Sequence, residues 1–168
     1  MSFVAQKAAN VNITTQDNVR LGAWIILSDS FYTSSNLSPV TSRSSSTPSH
    51  TLISSALSLY PTVIYFHGNG GTRAVSFRVA SYASYTTRLG ANVLALDYRG
   101  YADSEGTPSE EGLLKDARAA WQWVIDHGAD PEDIVLVGQS LGTAVATNLA
   151  QELAAESEYV QITSGSPR

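Results

Sequence analysis

The residues Gly138-Gln139-Ser140-Leu141-Gly142 follow the apolar run Ile134-Val135-Leu136-Val137 and open an apolar helical segment. A buried strand, then G-x-S-x-G, then a helix is the setting that holds a serine on a strained elbow with its hydroxyl exposed. A serine alcohol is a poor nucleophile at neutral pH. It needs a base to take its proton and donors for the oxyanion that forms when it attacks a carbonyl. The backbone N–H of Leu141 sits at the helix N-terminus, where dipole and unpaired donors favour negative charge. A second donor is expected from the glycine-rich turn His67-Gly68-Asn69-Gly70-Gly71, and Asn69 sits there. Ser140 is therefore the candidate nucleophile, with Asn69 and Leu141 as backbone oxyanion donors. Gly138, Gln139 and Gly142 complete the elbow, the two glycines because side chains there would collide with the neighbouring strand and helix.

The chemistry also needs a base, and the chain is short of one. Its three histidines, His50, His67 and His127, all precede Ser140, and the sequence ends at Arg168, 28 residues after the serine. His50 falls in a serine-rich stretch, and His127 reads as a cation closing a helix. No catalytic acid or histidine is assigned within the chain. Glu110, Glu111, Asp130, Glu132 and Asp133 read as helix-start and loop charges. No His/Asp/Glu spacing suggests a metal site, and the glycine turn lacks the lysine of a phosphate loop, so no cofactor and no metal are expected.

The elements that must position these residues are legible as a pattern. Residues 11 to 27 read as a β-hairpin, with Gln16-Asp17-Asn18 as turn chemistry. Residues 28 to 61 hold 13 serines and four threonines in 34 positions, and this composition predicts a flexible surface insertion. From Thr62 the pattern is α/β. Val63-Ile64-Tyr65-Phe66 and Val93-Leu94-Ala95-Leu96 are continuous apolar runs, as in strands covered on both faces. Between them, residues 73 to 89 form a weakly periodic helix closed by Gly90. Thr107, Pro108 and Glu110 read as N-cap, first and third positions of a helix carrying Leu113, Ala117, Ala120 and Val124, which Gly128 closes. A helix with Leu141, Val145, Leu149 and Leu153 on one face follows the elbow, and residues 159 to 163 suggest a last strand. The divisions are thus 1–27, 28–61 and 62–168. Strands alternating with helices imply a mostly parallel sheet with flanking helices, the strand at residues 134–137 central in it.

Composition narrows the function classes. At 43% hydrophobic and 15% charged residues the chain is globular. A net charge of −5 without a Lys/Arg cluster argues against nucleic-acid binding. There is no cysteine, hence no disulfide and no thiolate metal site. No apolar run approaches the ~20 residues of a transmembrane helix, and the N-terminus lacks a signal-peptide core. As written, the sequence reads as a soluble, cytoplasmic chain.

Three separated motifs in the same order resemble the α/β-hydrolase superfamily: residues 67–73, residues 97–110 and residues 138–149. The resemblance spans residues 62 to 163. Within the superfamily the chain is most similar to the alpha/beta hydrolase domain-containing protein 12 group, serine lipases acting on lysophospholipids and monoacylglycerols. That resemblance implies an α/β-hydrolase fold, an acyl-ester lipid substrate, and acyl transfer through Ser140. It implies that His67 supports the oxyanion loop, and that Asp97 and Asp103 order a loop. Relatives are often anchored to the endoplasmic reticulum membrane by a segment before the hairpin. The family's chain order is serine, acid, histidine, and the strands that carry the acid and histidine are missing here. The fold is therefore expected to be incomplete, ending after the strand that follows the nucleophile helix, and the chain inactive alone. Its exposed C-terminal edge strand is expected to promote self-association. The alternative is a non-catalytic pseudo-hydrolase that binds acyl ligands or a protein partner.

Overall fold

A computed structural model describes residues 7–35 and 47–156. The hairpin is present as β1 (Ala8–Thr14) and β2 (Arg20–Ile26), joined through Asn18 at φ 63°. Then follow α1 (Asp29–Ser34), α2 (His50–Leu59), β3 (Thr62–Phe66), α3 (Ser76–Arg88) and β4 (Asn92–Leu96). The last elements are α4 (Glu110–Asp126), a 3-10 turn (Pro131–Asp133), β5 (Ile134–Gly138) and α5 (Leu141–Glu156). The sheet order is β1-β2-β4-β3-β5. The hairpin joins β4 antiparallel, and β4, β3 and β5 run parallel.

Period-two alternation splits the strands between two cores. Ile64, Phe66, Leu94 and Leu96 face one side, with Leu113, Ala117, Ala120 and Val124 of α4 and Val145 and Leu149 of α5. Val63, Tyr65, Val93 and Ala95 face the other, against Tyr82 of α3. Both faces of β3 and β4 are covered, which is why those strands read as unbroken apolar runs. The chain leaves β3 for the α3 face and leaves β5 for the α5 face. The crevice outside the carboxyl ends of β3 and β5 is thus a topological switch point, where open α/β sheets place their ligands.

Three expectations are corrected here. Residues 28–35 and 47–61 are not simply a flexible insertion, because they carry α1 and α2. Ser28 and Ser49 are the N-caps, their hydroxyls accepting from the N–H groups of Phe31 and Leu52. Phe31, Ile53, Ala56 and Leu57 are buried in the core. Asn92, at the start of β4, ties both helices down: its amide donates to Ala56 O at 2.9 Å and its carbonyl accepts from Ser28 N at 3.0 Å. Second, α3 begins at Ser76 and not at residue 73, so Arg73 belongs to the turn before it. Third, α4 is capped by Ser109 and not by Thr107, the Ser109 hydroxyl accepting from Gly112 N at 3.0 Å. Pro108 lies outside the helix and packs onto Gly100, where a Cβ would lie 2.4 Å from its ring. Ser109→Ala is accordingly expected to destabilise the protein by about 1 kcal/mol in urea unfolding, whereas Thr107→Ala should change it far less. Among the described strands β1 and β5 are the two edges, so the central place expected for residues 134–137 is not seen among them, and the last strand expected at residues 159–163 lies outside the described residues. Among the described residues no helix is long and apolar enough to cross a membrane.

Candidate active site

Ser140 occupies the turn between β5 and α5 with φ 51°, a left-handed conformation unusual for a residue with a side chain, and it is exposed. Its two glycine neighbours make that conformation possible. A Cβ on Gly138 would sit 2.3 Å from Gly142 O, and one on Gly142 would sit 2.0 Å from Phe66 O. No rotamer relieves either clash, because the obstacles are backbone atoms. The elbow is locked by Gln139 N donating to Phe66 O at 3.0 Å and Thr143 N donating to Ser140 O at 2.8 Å. Such strained positions cluster at functional sites.

The turn after β3 lies against this elbow. A Cβ on Gly68 would meet Ser140 Cβ at 3.2 Å, so the two loops are in van der Waals contact. Asn69 follows Gly68 and is exposed. Its side-chain carbonyl accepts from Tyr101 Oη at 2.8 Å. Among the described residues neither the Asn69 nor the Leu141 N–H has a hydrogen-bond acceptor. Two unpaired backbone donors beside an exposed serine are what an oxyanion needs. A mainly apolar groove of about 350 Å³ counts Tyr101, Leu113, Leu114, Leu141 and Val145 in its wall, with the polar Ser109, Glu110 and Asn148 beside them. A second cleft of about 360 Å³ between the hairpin turn and α4 touches none of these residues.

The histidines are not arranged to serve Ser140. His67 is wholly buried, its Nδ1 donating to Gly68 O at 2.8 Å and its Nε2 lying 3.1 Å from Asp97 Oδ1. It packs on Tyr98 and Tyr101, and Tyr98 Oη donates to its carbonyl. His127 stacks on Trp123 at 3.9 Å and donates from Nδ1 to Trp123 O. His50 packs against it at 4.8 Å, on the first turn of α2. Asp97 and Asp103 both engage Arg73. The Arg73 N–H donates to Asp97 Oδ1 at 2.7 Å, and its guanidinium reaches both carboxylates. The hydrogen bonds from Arg73 hold Asp103 below the usual carboxylate range. Glu110 and Glu111 lie in the first turn of α4, and Asp130 caps the 3-10 turn of Glu132 and Asp133.

The bonding role of one elbow residue, and a second side chain altogether, escape a reading of the motifs alone. Gln139, the variable position of the elbow, accepts at Oε1 from Gly68 N at 3.3 Å and from Arg78 Nε at 3.2 Å. Arg78, on α3, is 3% exposed and donates further to the carbonyls of Gly68, Gly70 and Thr72. The one signal for it in the sequence is a cation in the row Arg78, Tyr82, Thr86, the buried stripe of α3.

Comparison with known proteins agrees with this fold. The family model described as alpha/beta hydrolase fold matches residues 61–161. Lysophosphatidylserine lipase ABHD12 of Danio rerio is 46% identical over 96 residues, which are 57% of this chain and 25% of that protein. An uncharacterized protein of Mycobacterium tuberculosis is 37% identical over 150 residues, 89% of this chain and 43% of that one. The chain therefore spans less than half the length of these relatives. The Pyrococcus furiosus esterase Pf2001 superposes with a TM-score of 0.62 at 24% identity, covering 90% of this chain and 49% of the esterase. An alpha-beta hydrolase from Vibrio vulnificus does so with a TM-score of 0.63 at 24% identity, covering 90% and 42%.

Proposed function

The chain belongs to the alpha/beta hydrolase fold family, and from that premise we propose that it is the nucleophile-bearing part of a serine hydrolase of carboxylic esters. The observation that carries this reading is Ser140 at positive φ, exposed, with the unpaired N–H groups of Asn69 and Leu141 beside it. The Ser140 oxygen attacks an ester carbonyl, and the alcohol leaves with a proton. Water then cleaves the acyl-serine. Charge that develops on the carbonyl oxygen in both steps is met by the two backbone donors. The mainly apolar groove that Leu141 helps to line suits an acyl chain. Together with the likeness to lysophosphatidylserine lipases, this favours lysophospholipids or monoacylglycerols as substrates.

Within the 168 residues no histidine is placed to serve Ser140 as general base. His67 is buried with both ring nitrogens against protein, and no histidine follows Ser140. Residues 1–168 alone should therefore hydrolyse esters feebly. The same observation favours the second reading, a pseudo-hydrolase that holds an acyl ligand or a protein partner without cleaving it.

The two separate on treatment of the longest form of the protein that its gene encodes with a fluorophosphonate. That reagent reports a serine activated by a base. The expected result is a single phosphonyl adduct on the peptide containing Ser140, found by mass spectrometry, together with release of fatty acid from lysophosphatidylserine. Binding of the lipid with neither adduct nor fatty-acid release would establish the pseudo-hydrolase instead.

A further inference from the structure

Arg78 is a buried cation whose hydrogen bonds all go to neutral acceptors. Its Nε donates to Gln139 Oε1, its Nη1 to Thr72 O at 2.7 Å, and its Nη2 to Gly68 O at 3.2 Å and Gly70 O at 3.0 Å. Among the described residues no carboxylate lies within ion-pair distance of it, unlike Arg73 and Arg99, which each hold two aspartates. A buried guanidinium without a counter-ion is costly unless its donors are satisfied, and here main-chain carbonyls of one turn satisfy most of them.

Those carbonyls matter for the N–H groups joined to them. In a trans peptide the C=O of one residue and the N–H of the next point in opposite directions. Gly68 O is drawn inward by Arg78 and by His67 Nδ1. The Asn69 N–H of the same peptide is therefore directed away from the buried layer, to the side on which Asn69 and Ser140 are exposed. The link through Gln139 Oε1, which also accepts from Gly68 N, fastens the same guanidinium to the elbow that carries the Leu141 donor. One side chain thus sets the orientation of both donor loops. Its charge also polarises the intervening peptides, positive ends outward.

We propose that Arg78 is the positioning residue of the oxyanion site: through Gln139 and the carbonyls of Gly68 and Gly70 it aims the Asn69 N–H and fixes it against the elbow. This rests on the serine-hydrolase reading of Ser140. It goes further in placing part of the oxyanion stabilisation on a side chain of α3 that touches no substrate. A lysine replaces it only in part, since a point ammonium lacks the planar fork that spans several carbonyls at once.

The test measures kcat and KM for p-nitrophenyl butyrate with Arg78→Met, Arg78→Lys and Gln139→Met, on the longest form of the protein its gene encodes. The rate of Ser140→Ala is subtracted throughout. Removing an oxyanion donor outright costs about 10²–10³ in kcat. Misaiming one should cost Arg78→Met about 10–100-fold in kcat, with KM changed by less than about threefold. Arg78→Lys should regain part of that loss. Affinity for a trifluoromethyl ketone, which forms a tetrahedral oxyanion, should fall by the same factor as kcat/KM. If Arg78→Met does not fold, Arg78→Lys and Gln139→Met decide, both expected to lose kcat in the same sense. Folded variants with kcat within about twofold of the parent, or with the loss carried by KM, overturn the proposal while leaving Ser140 as nucleophile. No Ser140-dependent turnover in the parent protein removes the serine-hydrolase reading itself, and this inference with it.

Discussion

Ser140→Ala is expected to lower kcat/KM for lysophospholipid hydrolysis by at least about 10⁴-fold in the longest form of the protein, with the fold intact. The size follows from what the serine alone supplies. Without its oxygen no acyl-enzyme forms, and only the binding and oxyanion contributions remain. In serine hydrolases these are worth a residual ~10³–10⁴ over water. The fold should survive because position 140 is exposed and its side chain fills no core space. A further variant separates chemistry from stability. Ser140 holds φ 51°, a conformation that costs a residue with a side chain roughly 1–2 kcal/mol and glycine nothing. Ser140→Gly should therefore be as inactive as Ser140→Ala yet more stable than the parent by about 1 kcal/mol in denaturant unfolding. A protein less stable on gaining that glycine would show that the elbow is held for folding and not for its nucleophile. Turnover within tenfold of the parent in Ser140→Ala would remove Ser140 from the mechanism.

The elbow and the parallel strands were legible because they are written in local pattern. Val63–Phe66 and Val93–Leu96 read as strands covered on both faces, and helices on both sides of the sheet do cover them. Gly138 and Gly142 announce close backbone approach, and the distances to Gly142 O and Phe66 O explain why nothing larger fits. The serine-rich segment misled because serine has two uses. Counted as composition it signals disorder, yet Ser28 and Ser49 are single residues placed at helix starts, where a hydroxyl satisfies an orphan N–H. The apolar residues behind them, Phe31, Ile53 and Leu57, are too sparse to stand out from the serines around them. The α4 cap misled by two residues because two hydroxyl residues flank Pro108, and Ser109, not Thr107, accepts from the N–H of Gly112. Arg78 was hard to read for a tertiary reason. Its one local mark is a cation in the stripe with Tyr82 and Thr86, and its partners, the carbonyls of residues 68, 70 and 72, converge only when the turn closes over α3.

A second buried arginine sets the largest stability effect to be expected away from the site. Arg99, in the loop after β4, donates its main-chain N–H and its Nε to the two oxygens of Asp116 on α4, each at 2.8 Å. Its terminal nitrogens hold Asp17 of the hairpin turn at 2.8 and 3.0 Å. One guanidinium thereby ties the hairpin, the loop after β4 and the helix that backs the sheet. Asp116 is fully buried, so Arg99→Met leaves a carboxylate in the core with no cation, and breaking a buried pair in this way costs about 3–5 kcal/mol. For a domain of this size that is a fall in Tm of roughly 10 °C. The pH dependence carries the diagnosis. Hydrogen bonds from Arg99 hold the Asp17 carboxyl below its usual range, so its contribution in the parent is full above pH ~4 and is lost as the pH falls through its lower folded value. Burial pushes the Asp116 carboxyl up, although Arg99 pulls it down. With the Arg99 side chain gone, only the main-chain N–H at position 99 still opposes that upward push. Acidification towards pH ~5 then neutralises the stranded Asp116, which narrows the gap between the two proteins, while the Asp17 contribution, full above pH ~4, stays constant over that range. The destabilisation measured by urea unfolding should be largest near pH 7–8 and smaller near pH 5. A penalty that stays constant across that range would mean the loss comes from packing of the arginine stem, and not from an orphaned charge.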